Sequence, residues 1–198
     1  MARRIARAVL PTRHGDFQIA VYRARGRETI ALVREPLGRV PLVRLHSKCI
    51  TGDTLGSLRC DCGDQLDAAL SLIGRVGGVL LYLPQEGRGI GIANKVRAYA
   101  LQDRGFDTVD ANLALGLPVD AREYRSAAAV LRALGLHRVR LITNNPEKQS
   151  DLEAEGIVVV ERVPIETSPN LVNLTYLETK AARMGHLILG RGEEQVAG

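Results

Sequence analysis

The chain has 198 residues, 45% apolar and 25% charged, with a net charge of +5 and a pI near 9.4. That length suits one large domain or two small ones with a sizeable core. No apolar run is long enough to cross a bilayer, and the basic N-terminus MARRIARAVLPT is too broken for a signal peptide, so a cytoplasmic protein without a membrane partner is expected. The positive charge favours an anionic partner. Aromatics at 4% leave few stacking platforms, and the basic residues are interspersed with acids, so a small polyphosphate fits better than nucleic acid.

Residues 5–46 read as strands. Phe17, Ile19 and Val21 alternate with polar or small neighbours, Arg25-Gly26-Arg27 is a turn, and Thr29–Val33 and Leu42–His46 follow. After Cys62 a helix is expected, with Leu66, Ala69, Leu70 and Ile73 on one face and Asp64 as N-cap. Val79–Leu83 is a short apolar strand leading into a glycine-rich loop, Gln85-Glu86-Gly87-Arg88-Gly89-Ile90-Gly91. The next helix is expected to bury Ile92, Val96, Tyr99 and Ala100 on one face. Residues 106–120 read as irregular, then Ala121–Leu134 as a helix capped by Asp120 and stopped by Gly135. Val139–Thr143 is a strand, Asn144-Asn145-Pro146 a turn, Lys148–Glu155 a helix, and Ile157–Val163 a strand. Residues 171–186 form one more amphipathic helix. Strands alternating with helices predict a layered α/β/α sandwich around a mixed sheet, with antiparallel strands at the N-terminus. A single domain over residues 1–190 is expected, with a disordered tail at 191–198.

All three cysteines fall in Cys49–Cys62, CITGDTLGSLRCDC. An odd, clustered set in a reducing compartment points to a metal rather than a disulfide framework. Three buried small hydrophobes is the competing account, but Arg59, Asp61 and Asp64 make the setting polar. Three thiolates can hold one zinc and leave its fourth position open, as catalytic sites do. His46 is a candidate fourth ligand that would close the shell and make the site structural. His14, His137 and His186 have no local constellation.

The glycine-rich loop opens onto a helix, where backbone amides can surround a phosphate, and Arg88 inside it suits an anion. A tight turn is the alternative, because the spacing is neither a dinucleotide fingerprint nor a Walker A loop. Thr143 and Lys148 follow a strand, where sites in α/β sheets gather; a plain strand-ending turn is equally open. Composition alone makes Asp120 to Tyr124 a capped, charged first turn, and Tyr99 a core tyrosine.

Taken together these motifs resemble GTP cyclohydrolase II. The carriers are His46-Ser47, Cys49, Thr51-Gly52-Asp53, Ser57 to Gly63, Gln65-Leu66, the loop Gln85 to Gly91, Asn94-Lys95, Arg97 to Asp103, Asp107 to Asn112, Leu141 to Pro146 and Glu161 to Pro164. The resemblance extends from Leu10 to His186 and is densest over 44–164. It implies a zinc hydrolase that opens the imidazole ring of GTP and releases formate and pyrophosphate, the first step of riboflavin biosynthesis. It implies one zinc per chain on Cys49, Cys60 and Cys62, and magnesium with the triphosphate. His46 would then be no ligand but part of a nucleotide-contacting stretch, Arg44, Leu45, His46, Ser47 and Lys48. Gln65, Glu86, Gly87, Arg88, Thr108, Thr143 and Lys148 would also touch GTP. Asp120 would accept a proton, Arg122 would be the nucleophile on phosphorus, and Tyr99 an active-site hydroxyl. A guanidinium with a pKa above about 12 is a poor nucleophile, so charge stabilisation by Arg122 is the simpler role. A homodimer is also implied.

Two positions depart from the pattern: Lys48 stands where glutamate is usual, and Pro84 where arginine is common. They leave open a paralogue in a secondary pathway, with altered nucleotide use or a formylamino end product. A non-catalytic zinc module that binds nucleic acid is the third reading; it would need a fourth protein ligand on the metal.

Overall fold

Period-two alternation in the first third of the chain gives three antiparallel strands, β1 (Arg3–Thr12), β2 (Gly15–Ala24) and β3 (Arg27–Arg34). The two residues between β2 and β3, Arg25 and Gly26, both have positive φ (52° and 77°), the hairpin geometry that matches strand twist. The computed structural model describes residues 1–165, 167, 172–185 and 187. The expected tail at 191–198 and His186 lie outside these residues.

From residue 42 the chain alternates between strands and helices. In order come β4 (Leu42–Ser47), α1 (Ile50–Asp53), α2 (Cys62–Val76), β5 (Gly78–Leu83) and a 3-10 turn (Glu86–Gly89). They are followed by α3 (Gly91–Gln102), α4 (Thr108–Ala114), α5 (Arg125–Ala133), β6 (Arg138–Ile142), α6 (Pro146–Ala154), β7 (Val158–Val163) and α7 (Leu174–Met184). The seven strands form one sheet in the order β1-β2-β3-β5-β4-β6-β7. Strands β5, β4, β6 and β7 are mutually parallel, and β3 joins β5 antiparallel.

Two apolar clusters sandwich the sheet. On one side Ala69 and Ile73 of α2 pack with Phe17, Leu42, Leu80 and Ile142. On the other, Ala127, Ala128, Val130 and Leu131 of α5 and Leu152 of α6 pack with Val43, Leu45, Val79, Leu81 and Leu141. The fold is therefore the expected α/β/α sandwich around a mixed sheet. Alternation along β4 sends Leu42 to the first cluster and Val43 and Leu45 to the second.

Several local expectations need correction. α2 starts at Cys62, with Asp61 rather than Asp64 at the N-cap position. Residues 106–120 are not wholly irregular, because Asp107 caps α4 by accepting from Val109 N and Asp110 N at 2.7 and 2.8 Å. α5 begins at Arg125, not Ala121. Asp120 folds back on its own turn instead, accepting from Arg122 N at 3.0 Å, and Ala121 N donates to Arg88 O. On α3 the expected buried face is exposed at Ile92 (43%) and Val96 (54%), and Ala98 is the buried residue.

Candidate active site

The site lies beyond the carboxyl ends of β4, β5 and β6. β4 pairs with β5 on one side and β6 on the other, so the chain leaves it toward both edges. That is a topological switch point, where open α/β sheets place ligands.

Cys49 follows β4, and Cys62 occupies the first turn of α2, whose N-terminus favours negative charge. Cys60 is carried by the loop between. The three Sγ atoms all lie within 4.8 Å of one another, and Cys49 Sγ is 3.7 Å from Cys60 Sγ. A tetrahedral zinc with bonds of about 2.3 Å holds its sulfurs about 3.8 Å apart, so this donor set fits the metal. Hydrogen bonds with Cys60 and Cys62, joined by one from Lys95, hold the Cys49 thiol far below its ordinary range. Cys60, bonded to that thiolate, is pushed up.

Among the described residues no further histidine, cysteine or carboxylate joins this group. His46 is committed elsewhere: its Nε2 lies 3.0 Å from Asp53 Oδ1, and its ring stacks on Tyr82 at 5.6 Å. Burial pulls its pKa down from 6.5, and the Asp53 hydrogen bond opposes this only in part. A neutral ring then carries its proton on Nε2, toward the carboxylate. Asp53 Oδ2 also accepts from Cys49 N at 2.9 Å and Tyr82 Oη at 2.8 Å. Sequence reasoning gave Asp53 no role, although it sits in the quoted run.

An open cleft of about 1000 Å³, counting its mouth, adjoins the cysteines. Of the expected residues, Arg44, His46, Ser47, Lys48, Gln65, Gly87, Arg88, Tyr99, Thr108, Arg122 and Lys148 line it with the three cysteines. Among the described residues seven cationic side chains line it, Arg44, Lys48, Arg59, Arg88, Lys95, Arg122 and Lys148, and no carboxylate does. Some of that charge is offset just behind the wall, by Asp103 on Arg59, Glu86 on Lys95 and Asp120 on Arg122. Arg44 is 3% exposed and donates to Ile142 O and Gln65 Oε1; burial lowers its pKa to about 10. Arg44 Nε and His46 Nδ1 are buried without a hydrogen-bond partner among the described residues, which leaves hydrogen-bonding capacity at the cleft wall.

Four expected contacts do not present side chains to the cleft. Leu45 is fully buried in the α5 cluster, and its carbonyl accepts from Lys148 Nζ at 3.0 Å. Thr143 is buried and braces its own turn through Asn145 N. Glu86 spends one oxygen on Ile50 N and the other on Lys95 Nζ. Asp120 is gripped by the Arg122 guanidinium, whose bonds outweigh burial and hold its pKa below 3.8.

Tyr99 lines the cleft rather than filling the core. Its hydroxyl is 3.3 Å from Thr51 Oγ1, itself 3.5 Å from Cys49 Sγ, and Arg59 lies over its ring at 5.0 Å. Burial raises its pKa, so the phenol stays protonated at neutral pH. Lys95, Arg59, Gln85, Gln102 and Asn112 also line the cleft; all five fall within the matching motifs, but spacing gives no hint of their place in it.

The glycine-rich loop acts as a joint. Gly87 (φ 60°) leaves room for Lys95, whose Cβ would lie 3.2 Å from a Cβ there. Gly89 (φ 93°) lies so close to residue 121 that a Cβ would meet Ala121 O at 2.8 Å. Between them Arg88 also takes a left-handed conformation (φ 58°), which is uncommon for a residue with a side chain.

A family profile described as GTP cyclohydrolase II matches residues 3–164. The chain belongs to the GTP cyclohydrolase II family. It is similar to a GTP cyclohydrolase-2 of Neisseria meningitidis, 50% identical over 192 residues, covering 95% of this chain and 98% of the relative. It is also similar to riboflavin biosynthesis proteins RibBA of Salinispora tropica and Rhodococcus erythropolis. The first is 55% identical over 93% of this chain and 48% of the relative, the second 52% over 96% and 47%. The chain thus spans about half the length of the RibBA relatives it matches. No helix among the described residues is long and apolar enough to cross a membrane.

Proposed function

We propose that this chain opens the imidazole ring of GTP and releases formate and pyrophosphate. The product is 2,5-diamino-6-(5-phosphoribosylamino)pyrimidin-4(3H)-one, and the step is the first of riboflavin biosynthesis. The observation that carries this reading is a cleft with a thiolate trio on its wall and, among the described residues, seven cations and no carboxylate lining it. A purine triphosphate matches both features: it offers phosphates to the cations and a carbon electrophile to the metal end.

Cys49, Cys60 and Cys62 would hold one zinc. Bound there, zinc supplies a Lewis acid that makes water a nucleophile at neutral pH. Arg88, Arg122 and Lys148 bind and orient the phosphates. Tyr99, protonated and linked through Thr51 to the thiolate end, positions a water and passes a proton when the formyl group is cleaved. Water balances the overall change: one molecule opens the ring, one releases formate, and one cleaves the bond that frees pyrophosphate. Arg122 fits the charge-stabilising role in that last step, because its guanidinium is paired with a carboxylate that favours the protonated form. For the same reason Asp120 accepts a proton only after it parts from Arg122. Magnesium would accompany the triphosphate. A homodimer in the cytoplasm is carried by the family resemblance.

The test is incubation with GTP, zinc and magnesium, followed by quantitation of formate, pyrophosphate and the pyrimidine. Equal yields of all three support the reading. A stable formylamino end product would favour the secondary-pathway paralogue suggested by Lys48 and Pro84, and no turnover of GTP would sink both. A covalent nucleotide trapped on Arg122, seen as a gain of its mass, would make Arg122 the nucleophile; failure to trap one leaves it the charge-stabilising role.

A further inference from the structure

Lys95 is a half-buried cation to which neither the resemblance nor the sequence pattern gives a role. Its Nζ lies 2.9 Å from Cys49 Sγ and 2.9 Å from Glu86 Oε1. The Lys95 and Glu86 side chains are only 12% and 11% exposed. The other Glu86 oxygen accepts from Ile50 N at 2.7 Å, so the carboxylate is anchored to the residue next to Cys49. From above, the Lys95 stem is confined by Gly87, and the Tyr99 ring lies 5.9 Å from the ammonium. An ammonium is strongly hydrated and is buried at a cost unless its hydrogen bonds are met. This one is held from three sides with a donor aimed at a sulfur.

We propose that Lys95 is a positioning residue that tempers electron donation by Cys49 and so sets the Lewis acidity of the metal held by the three cysteines. The inference rests on the zinc reading above. Three thiolates exceed the charge of a divalent metal by one, and strong sulfur donation weakens it as an acid. A hydrogen bond from an ammonium lowers the energy of the sulfur lone pair and restores acidity. Hydrogen bonds donated to metal-holding side chains orient those ligands and tune metals in general.

Cobalt(II) in place of zinc reports on the sulfur directly, through its thiolate-to-metal charge-transfer absorption. The full chain and its Lys95→Arg, Lys95→Gln and Lys95→Met variants are each loaded with cobalt(II). The band is expected to move to longer wavelength in the order Lys95, Arg, Gln, Met, as the donor weakens and then disappears. With zinc, kcat is expected to fall about 10–100-fold in Lys95→Met, with partial rescue by arginine and little change in KM. Should Lys95→Met fail to fold, the arginine and glutamine variants still order the series. Identical bands in the metal-loaded variants overturn the inference alone, as does a rise in KM without a spectral shift, which would make Lys95 a substrate contact. Absence of any thiolate band in the wild-type chain overturns the metal reading and this inference with it.

Discussion

Asp53 is the most exacting test of how this site is held. Its side chain is 3% exposed and accepts from His46, Cys49 N and Tyr82 at 3.0, 2.9 and 2.8 Å. Replacement by alanine leaves the Cys49 amide and the His46 ring buried and unpaired, while the partly exposed Tyr82 can turn to water. A buried donor left without a partner costs about 1–3 kcal/mol, so two of them cost about 2–6 kcal/mol. For a chain of this size each kcal/mol lowers Tm by about 2–4 °C, which gives a drop of about 8–16 °C near the middle of that range. Asp53→Asn keeps the shape and one acceptor and is expected to lose about half as much. Urea and thermal unfolding of the metal-free chain give the stability, and metal content gives the local effect, because Cys49 would lose the bond that fixes its backbone. An Asp53→Ala chain within about 1 kcal/mol of the parent, with full metal content, would refute the view that this carboxylate is the hub of the cysteine turn.

Three further outcomes follow from the same geometry. His46 has a folded-state pKa depressed below 6.5 by burial, so the unfolded chain takes up its proton first as pH falls. Its contribution is present above 6.5 and is lost below it, at up to about 1.4 kcal/mol per pH unit, a slope that His46→Asn should remove in urea titrations between about pH 7 and pH 5.5. Gly89→Ala forces a Cβ against Ala121 O in a left-handed backbone and should displace Arg122, so GTP turnover should drop more than stability does; unchanged kinetics would mean the joint is not needed. Asp107→Ala removes the α4 cap and should cost about 1 kcal/mol by chemical denaturation, with a weaker hold on Thr108 at the cleft seen as a raised KM.

The layered fold could be read from the chain because its signals are local. Alternation in β2 and the spacing of Leu66, Ala69, Leu70 and Ile73 in α2 are properties of short windows, and the structure keeps them. The cysteine trio could be read because cysteine is rare here and its side chain has few other uses in a polar loop. The failures share a cause. α4 is only seven residues long, and its cap is its main local signal. Asp120 is a good cap residue, yet its carboxylate is taken by Arg122 and Ala121 N donates to Arg88 O, so α5 starts only at Arg125. On α3 the apolar period pointed at Ile92 and Val96, but the face turned inward carries Lys95, Ala98 and Tyr99, because the cleft rather than the core lies beneath it. Asp53 and Lys95 had no signature, since what each does depends on partners between 4 and 46 positions away.

The sheet explains why these partners meet. β4 is the strand from which the chain departs first to β5 on one side and later to β6 on the other. Its carboxyl end therefore opens a crevice that no crossover helix can fill, and three strand ends face it. Alternation along β4 then divides the work between the faces: Arg44 and His46 point to the α2 side with its cysteines, while Leu45 fills the α5 core. Because the next strand begins only after α2, the three cysteines are placed by β4, α2 and the loop between them, and the loop that follows β5 adds Glu86 and Arg88 from the second strand end. Lys148 closes the arrangement from the third, by donating to the Leu45 carbonyl. Of residues 44 to 48, Arg44, His46, Ser47 and Lys48 thus line the cleft, while Leu45 ties it to the core.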